Sequence, residues 1–180
     1  IALKDKDTVV GVAPAGSDDV DLVFVTRQSQ LLRFPASAVR PQGRTAGGMA
    51  GIKLAAGDRV MFFGAASPAD SDAVVVTIAG TDGALPGTAP GAAKVTALAE
   101  YPAKGRATAG VRAHRFLKGE DTLLLAWAGH GPAKASSLAG VARSLPGEHG
   151  RRDGSGIPLS QAIDAIGPSM AWPPEPGTEA

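Results

Sequence analysis

Asp21-Leu22-Val23-Phe24-Val25-Thr26 and Gln30-Leu31-Leu32-Arg33-Phe34 are two short runs of β-branched, aromatic and leucine residues separated by Arg27-Gln28-Ser29. Such runs, broken by a polar step too short for anything but a tight turn at Gln28-Ser29, read as an antiparallel hairpin. Further along the chain, Gly51-Ile52-Lys53-Leu54 is expected to be a third strand and Asp58-Arg59-Val60-Met61-Phe62-Phe63 a fourth. The stretch thus predicts one compact four-stranded unit.

The unit recurs. Leucine, three residues, aspartate and an apolar strand occur at Leu3-Lys4-Asp5-Lys6-Asp7-Thr8-Val9-Val10, at Leu54-Ala55-Ala56-Gly57-Asp58-Arg59-Val60-Met61 and at Leu117-Lys118-Gly119-Glu120-Asp121-Thr122-Leu123-Leu124. Gly-Arg followed by a glycine and a β-branched residue runs from Gly43-Arg44 to Gly51-Ile52, from Gly105-Arg106 to Gly110-Val111 and from Gly150-Arg151 to Gly156-Ile157. The two patterns interleave in a fixed order. Four-stranded units repeating every ~45–60 residues are the signature of blades set radially, an all-β, propeller-like architecture. Ile1-Ala2-Leu3 matches Ile52-Lys53-Leu54, so the chain is expected to open in the second half of a repeat, and its start at Ile1 suggests an excised piece.

The expected divisions are the end of a truncated blade over 1–15, a blade over 20–66, a blade over 72–129 and a degenerate last blade over 130–166. A disordered tail is expected over 167–180. The middle blade opens at Ala73-Val74-Val75-Val76-Thr77-Ile78 and is lengthened by the turn-rich Thr81-Asp82-Gly83-Ala84-Leu85-Pro86-Gly87. Ser136 to Leu145 is alanine-rich and reads as helix or strand, while Leu159 to Ile166 reads as a helical turn or two.

Composition narrows the function. Eighteen Lys+Arg against 17 Asp+Glu give a net charge of +1, so a nucleic-acid reading must rest on where charges lie. The chain has 0 cysteines, which excludes disulfides and thiol nucleophiles and fits a reducing cytoplasm. No apolar run approaches the ~20 residues that span a bilayer, so no membrane partner is expected. His114, His130 and His149 are too far apart to suggest a zinc site. Asp153-Gly154-Ser155-Gly156 misses the nucleophile elbow by one position, and no Gly-Lys-Ser or Gly-Lys-Thr phosphate loop occurs.

Phe24-Val25-Thr26-Arg27-Gln28-Ser29-Gln30-Leu31-Leu32-Arg33, then Arg40-Pro41-Gln42-Gly43-Arg44, then Gly51-Ile52-Lys53-Leu54 with Gly57-Asp58, resembles the C-terminal domain of the A subunits of DNA gyrase and topoisomerase IV, the bacterial type IIA topoisomerases. The resemblance extends through roughly residues 1 to 166. It implies a β-pinwheel, a ring or spiral of about six blades when intact, of which about three four-stranded blades lie here. It further implies duplex DNA wrapped without sequence preference on a basic outer rim. The implied partners are upstream blades and the N-terminal cleavage domain of the same subunit, and an ATPase B subunit. ATP and Mg2+ would act on those other parts, with no cofactor in this chain. The implied location is the cytoplasm, at the nucleoid.

Wrapping of that kind needs Lys and Arg spread over an outward face to displace phosphate counterions, with no base-reading side chains. On this reading the DNA-binding candidates are Arg27, Arg33, Arg40, Arg44, Lys53, Lys104, Arg106, Arg112, Arg115 and Arg151, with Lys118, Arg143 and Arg152 nearby and the acids gathered at Asp18-Asp19-Asp21, Asp70-Asp72 and the tail. The bland alternative is that these are solvated strand-edge cations that discourage aggregation. Gyrase carries a glutamine-arginine-arginine-glycine-glycine-lysine-glycine box in its first blade. Gln42-Gly43-Arg44-Thr45-Ala46-Gly47-Gly48 lacks the second arginine and the lysine, which tilts the reading toward topoisomerase IV. The family's cleaving tyrosine follows an arginine, whereas Tyr101 stands in Glu100-Tyr101-Pro102 and reads as a core residue, so no catalytic residue is expected here. A propeller-type protein-interaction scaffold that ignores DNA is the competing reading.

Overall fold

The computed structural model describes residues 3–14, 19–83 and 90–169. Within them lie eleven strands: β1 Asp21–Thr26, β2 Gln30–Pro35, β3 Val60–Ala66, β4 Ala73–Gly80, β5 Ala92–Ala97, β6 Val111–Arg112, β7 Thr122–His130, β8 Ala133–Ser136, β9 Ala142–Arg143, β10 Ile157–Pro158 and β11 Ala165–Pro168. Two single turns of 3-10 helix, Ala36–Ala38 and Leu98–Glu100, follow β2 and β5 at matching places. All sheet pairings are antiparallel, and the strands form three sheets ordered β3-β1-β2-β6, β10-β5-β4-β7 and β11-β8-β9.

The hairpin expected around Gln28-Ser29 is present. Ser29, at φ 65, closes the β1–β2 turn and its N–H donates to the Thr26 carbonyl at 3.0 Å. Alternation divides this hairpin between two faces. Val23, Val25 and Leu31 join Val75, Ala79, Leu98, Tyr101 and Leu123 in a core between the first and second sheets. Leu22, Phe24, Phe34 and Phe63 turn the other way, where Phe24 packs against Phe63 and Phe34 with ring centroids 4.9 and 5.6 Å apart. There an apolar cleft of about 400 Å³ is lined also by Met49 and by Leu3, Val9 and Val10 of the opening segment. The second sheet is covered on both faces, so all eight residues of β4 are buried. Its far side packs Val74, Val76 and Val95 against Trp127, Ala133 and Ile166, and Ile78 and Ala93 against Ala135 and Ile163.

The third strand of the first full unit is not where the sequence suggested. Gly51–Leu54 forms no strand in its own unit. The edge beside β2 is filled by Val111–Arg112 of the next repeat, and the edge beside β5 by Ile157–Pro158 of the one after. The first two sheets are therefore each completed by an exchanged strand. The glycine of the recurring Gly-β-branched pair now has a reason. A methyl on Gly110, which sits at φ +79, would overlap the Leu31 carbonyl, and a Cβ on Gly156 would stand 2.7 Å from the Ala92 carbonyl carbon. Only glycine lets the entering strand come this close.

The recurring aspartate is a tie. Asp58 accepts hydrogen bonds from the Gln28 N–H at 3.0 Å and from its neighbour Arg59 at 2.8 Å, and Asp121 accepts from the Asp82 N–H at 2.7 Å. In both repeats the carboxylate that precedes the long edge strand, β3 or β7, caps the segment following the first strand of the same sheet.

The last unit also differs from expectation. The alanine-rich stretch holds β8 and β9 around a turn at Gly140, and the expected helical turns over 159–166 are absent, with β11 pairing to β8 instead. Gly167 and Pro168 belong to that strand rather than to a tail, and residues 170–180 lie outside the described residues, as do 84–89 of the long middle loop.

Candidate nucleic-acid interface

The segments that lead into the exchanged strands lie side by side. The Ala107 N–H donates to the Gly51 carbonyl at 2.6 Å, the Lys53 N–H to Thr108 at 2.9 Å, and the Arg106 guanidinium to the Ala50 carbonyl at 2.7 Å. One repeat on, the Arg115 N–H donates to Gly154 at 3.0 Å and the Arg152 guanidinium to the Arg112 carbonyl at 3.2 Å. The three Gly-Arg stretches thus form a continuous row across the repeats, along the edges that β6 and β10 close.

On and beside this row Arg40, Arg44, Lys53, Lys104, Arg112, Arg115, Lys118 and Arg151 are exposed, and their side chains make no hydrogen bond or ion pair among the described residues. Arg106 is half-buried and spends part of its guanidinium on Ala50. Acids are not confined to the places the sequence suggested, because Glu100, Glu148 and Asp153 are exposed within the same segments.

Two candidates sit elsewhere and are committed. Arg33 donates from Nη1 to the Asp21 carboxylate at 2.7 Å and from Nε to the Tyr101 carbonyl at 2.6 Å, with 13% and 5% of the Arg33 and Asp21 side chains exposed. Arg27 pairs with Asp82 at 2.7 Å and donates to the Thr122 hydroxyl at 3.1 Å, tying the first hairpin to β7. The Arg27 guanidinium holds the Asp82 carboxyl below its ordinary range.

The remaining titratable groups are structural in placement. Tyr101 is fully buried, its hydroxyl 3.4 Å from the Ala113 carbonyl, and burial pushes it up to about 12. His114 lies between the first two sheets, 2.9 Å from the Thr77 hydroxyl through Nδ1, while Nε2 accepts the Gly156 N–H at 3.0 Å. Burial, helped by the nearby Lys94 charge, lowers His114 to about 4, so it is neutral with its proton on Nδ1. Among the described residues no group of three or more His, Asp or Glu side chains could hold a metal ion. No helix there is long and apolar enough to cross a membrane.

Sequence reasoning passed over Lys94. A lone lysine in Ala92-Ala93-Lys94-Val95, a run otherwise apolar, was the signal that could have found it, since a cation buried in a strand must find acceptors.

Radial antiparallel sheets that exchange edge strands, rimmed by basic loops, define a β-pinwheel. Residues 21–67 and 88–124 match the family described as DNA gyrase C-terminal domain, β-propeller. A topoisomerase subunit, TopoM, of Mycolicibacterium smegmatis is 41% identical over 117 residues, 64% of this chain and 14% of that protein. The DNA gyrase A subunit of Salmonella typhimurium is 38% identical over 112 residues, 62% of this chain and 11% of that protein. Among solved structures, a DNA gyrase A C-terminal domain superposes over 92% of this chain and 56% of its own, with a TM-score of 0.68 at 17% identity. A topoisomerase IV C-terminal domain does so over 83% and 46%, with a TM-score of 0.63 at 18% identity. The chain thus resembles the C-terminal domains of the DNA gyrase A and topoisomerase IV A subunits, whose β-pinwheel fold it shares. It spans about one-seventh or less of the length of these curated relatives. Gyrase and topoisomerase IV stand side by side among them, so no preference for topoisomerase IV follows.

Proposed function

We propose that the chain binds duplex DNA without sequence preference along the row of Gly-Arg segments and bends it there, within the A subunit of an ATP-dependent type IIA topoisomerase in the bacterial cytoplasm. The observation that carries this reading is the row itself. Hydrogen bonds place the basic segments of successive repeats next to one another, and their exposed cations have no protein partner among the described residues. A duplex laid across the row would meet cations at a spacing set by the repeat, which is what phosphate neutralisation over a curved path requires. The DNA-binding set is then Arg40, Arg44, Lys53, Lys104, Arg106, Arg112, Arg115 and Arg151. Arg27 and Arg33 serve architecture. Cleavage of DNA and hydrolysis of ATP would belong to other parts of the enzyme.

The test is binding to a duplex of arbitrary sequence over a salt series, followed by fluorescence anisotropy. Affinity that drops steeply with salt, at a slope of several phosphate contacts, supports the reading. A folded chain that does not bind at low salt sinks it in favour of a protein-interaction scaffold.

A further inference from the structure

Lys94 sits in the middle of β5 with 3% of its surface exposed. An ammonium has three N–H donors, and all three are used on one loop: Nζ lies 2.9 Å from the Arg151 carbonyl, 2.6 Å from Arg152 and 3.1 Å from Gly154. Among the described residues no carboxylate forms an ion pair with it. The loop closes on itself through the Gly154 N–H to Arg151, and Gly150 leaves room for the lysine stem, since a Cβ there would meet Lys94 Cγ at 3.0 Å. Arg151, at the outer side of this cage, is exposed.

We propose that Lys94 is a positioning residue for the DNA-binding rim: its buried ammonium gathers the carbonyls of the Gly150–Gly154 loop inward and so holds the Arg151 side chain outward, toward the phosphates. The inference rests on the DNA-binding reading above.

An internal comparison separates positioning from mere packing. β2 and β5 receive their exchanged strands in the same register, with Leu31 opposite Val111 and Ala93 opposite Ile157, so Leu32 is the counterpart of Lys94. The backbone clamp is also shared, Lys104 N–H to Arg33 in one sheet and Gly150 N–H to Val95 in the other. An apolar residue therefore suffices at this place for sheet and clamp. The lysine adds a buried charge, which is costly, and what it gains is the cage alone. Turning three carbonyls inward also removes negative dipole ends from a surface meant to meet phosphate, and leaves cationic side chains facing out.

The experiment uses the full chain, duplex DNA of arbitrary sequence and fluorescence anisotropy over a salt series, with Lys94→Met, Arg151→Ala and the double variant. Each single change is expected to weaken binding about 3- to 10-fold and to lower the salt slope by about one phosphate contact. The double variant should be no weaker than Arg151→Ala, because both remove the same contact. A second readout is pH. Burial lowers Lys94 to about 8, with Asp153 opposing and Arg152 assisting. The other titratable group facing it is His114, from the segment after β6, which is already neutral well below pH 7. Wild-type affinity should therefore fall between pH 7 and 9 more than that of Lys94→Met, which corrects for the α-amino group.

Wild-type binding by Lys94→Met, or a double variant that loses the product of both effects, overturns the proposal while leaving the DNA reading intact. Should Lys94→Met fail to fold, Lys94→Leu, which copies Leu32 at the equivalent place of the first sheet, takes its place, and wild-type binding by it overturns the proposal. A wild-type chain that ignores DNA at low salt removes both.

Discussion

Two groups of cations lie in adjoining parts of this chain and meet opposite fates. Arg27 and Arg33 flank the first hairpin, within reach of Asp82, Asp21 and the Tyr101 carbonyl, and are consumed there. Arg44, Lys104, Arg112 and Arg151 stand in the segments that precede or form the exchanged strands and find no such partner among the described residues. The residue type is the same in both groups. What differs is whether folding brings an acceptor alongside, so a basic residue becomes architecture in one place and is left exposed in the other.

Arg33→Ala is the strongest way to break this contrast. It strands Asp21 in a nearly closed site, and removing one member of a buried pair costs about 3–5 kcal/mol. Urea denaturation should show that loss while DNA affinity per folded molecule is unchanged, and reduced affinity of the folded fraction would return Arg33 to the interface.

Acidification should act almost as strongly. The folded value of His114, about 4, lies below the ordinary 6.5, so the unfolded chain takes up a proton that the folded chain refuses. Its contribution is complete above pH 6.5 and is lost as pH falls from 6.5 through 4, up to about 3 kcal/mol. Urea midpoints at pH 7.5 and 4.5 should differ less in His114→Gln than in the wild type.

On the rim the expected signs reverse. Arg44→Ala with Arg112→Ala should weaken DNA binding about 10- to 100-fold at moderate salt, equivalent to about 1.4–2.8 kcal/mol, with an unchanged urea midpoint. Unchanged affinity would place DNA on another surface.

Asp58→Ala removes a cap from the Gln28 N–H and should cost about 1 kcal/mol without touching DNA affinity. The smallest effect belongs to Arg27→Ala. Its partner Asp82 is largely exposed, so the urea midpoint should barely move.

Much of the fold was legible. Strands β1 to β4 could be placed from their apolar runs, and the repeating Leu-x-x-x-Asp and Gly-Arg patterns gave the blade order. The owner of each edge strand was not legible. Ile52, Val111 and Ile157 look alike in sequence, and period-2 patterning says that a segment is extended but not which sheet it joins. The last unit was only half legible for a related reason: Ser136 to Leu145 reads equally as helix or strand, and tertiary pairing, which overrides weak propensity, decides for strand at β8 and β9. In the candidate site the basic loops were visible as Gly-Arg steps. The withdrawal of Arg33 was not, because its pairing depends on Tyr101 arriving from the next repeat.

Strand exchange also sets a schedule for manufacture. A chain made from its N-terminus has all the parts of the β3-β1-β2 sheet once Ala66 has emerged, yet that sheet keeps a bare edge until Val111 and Arg112 arrive. The second sheet waits likewise for Ile157 and Pro158. Both of these blades are thus finished one repeat late, and an early stop would leave an open edge as a foothold for another chain.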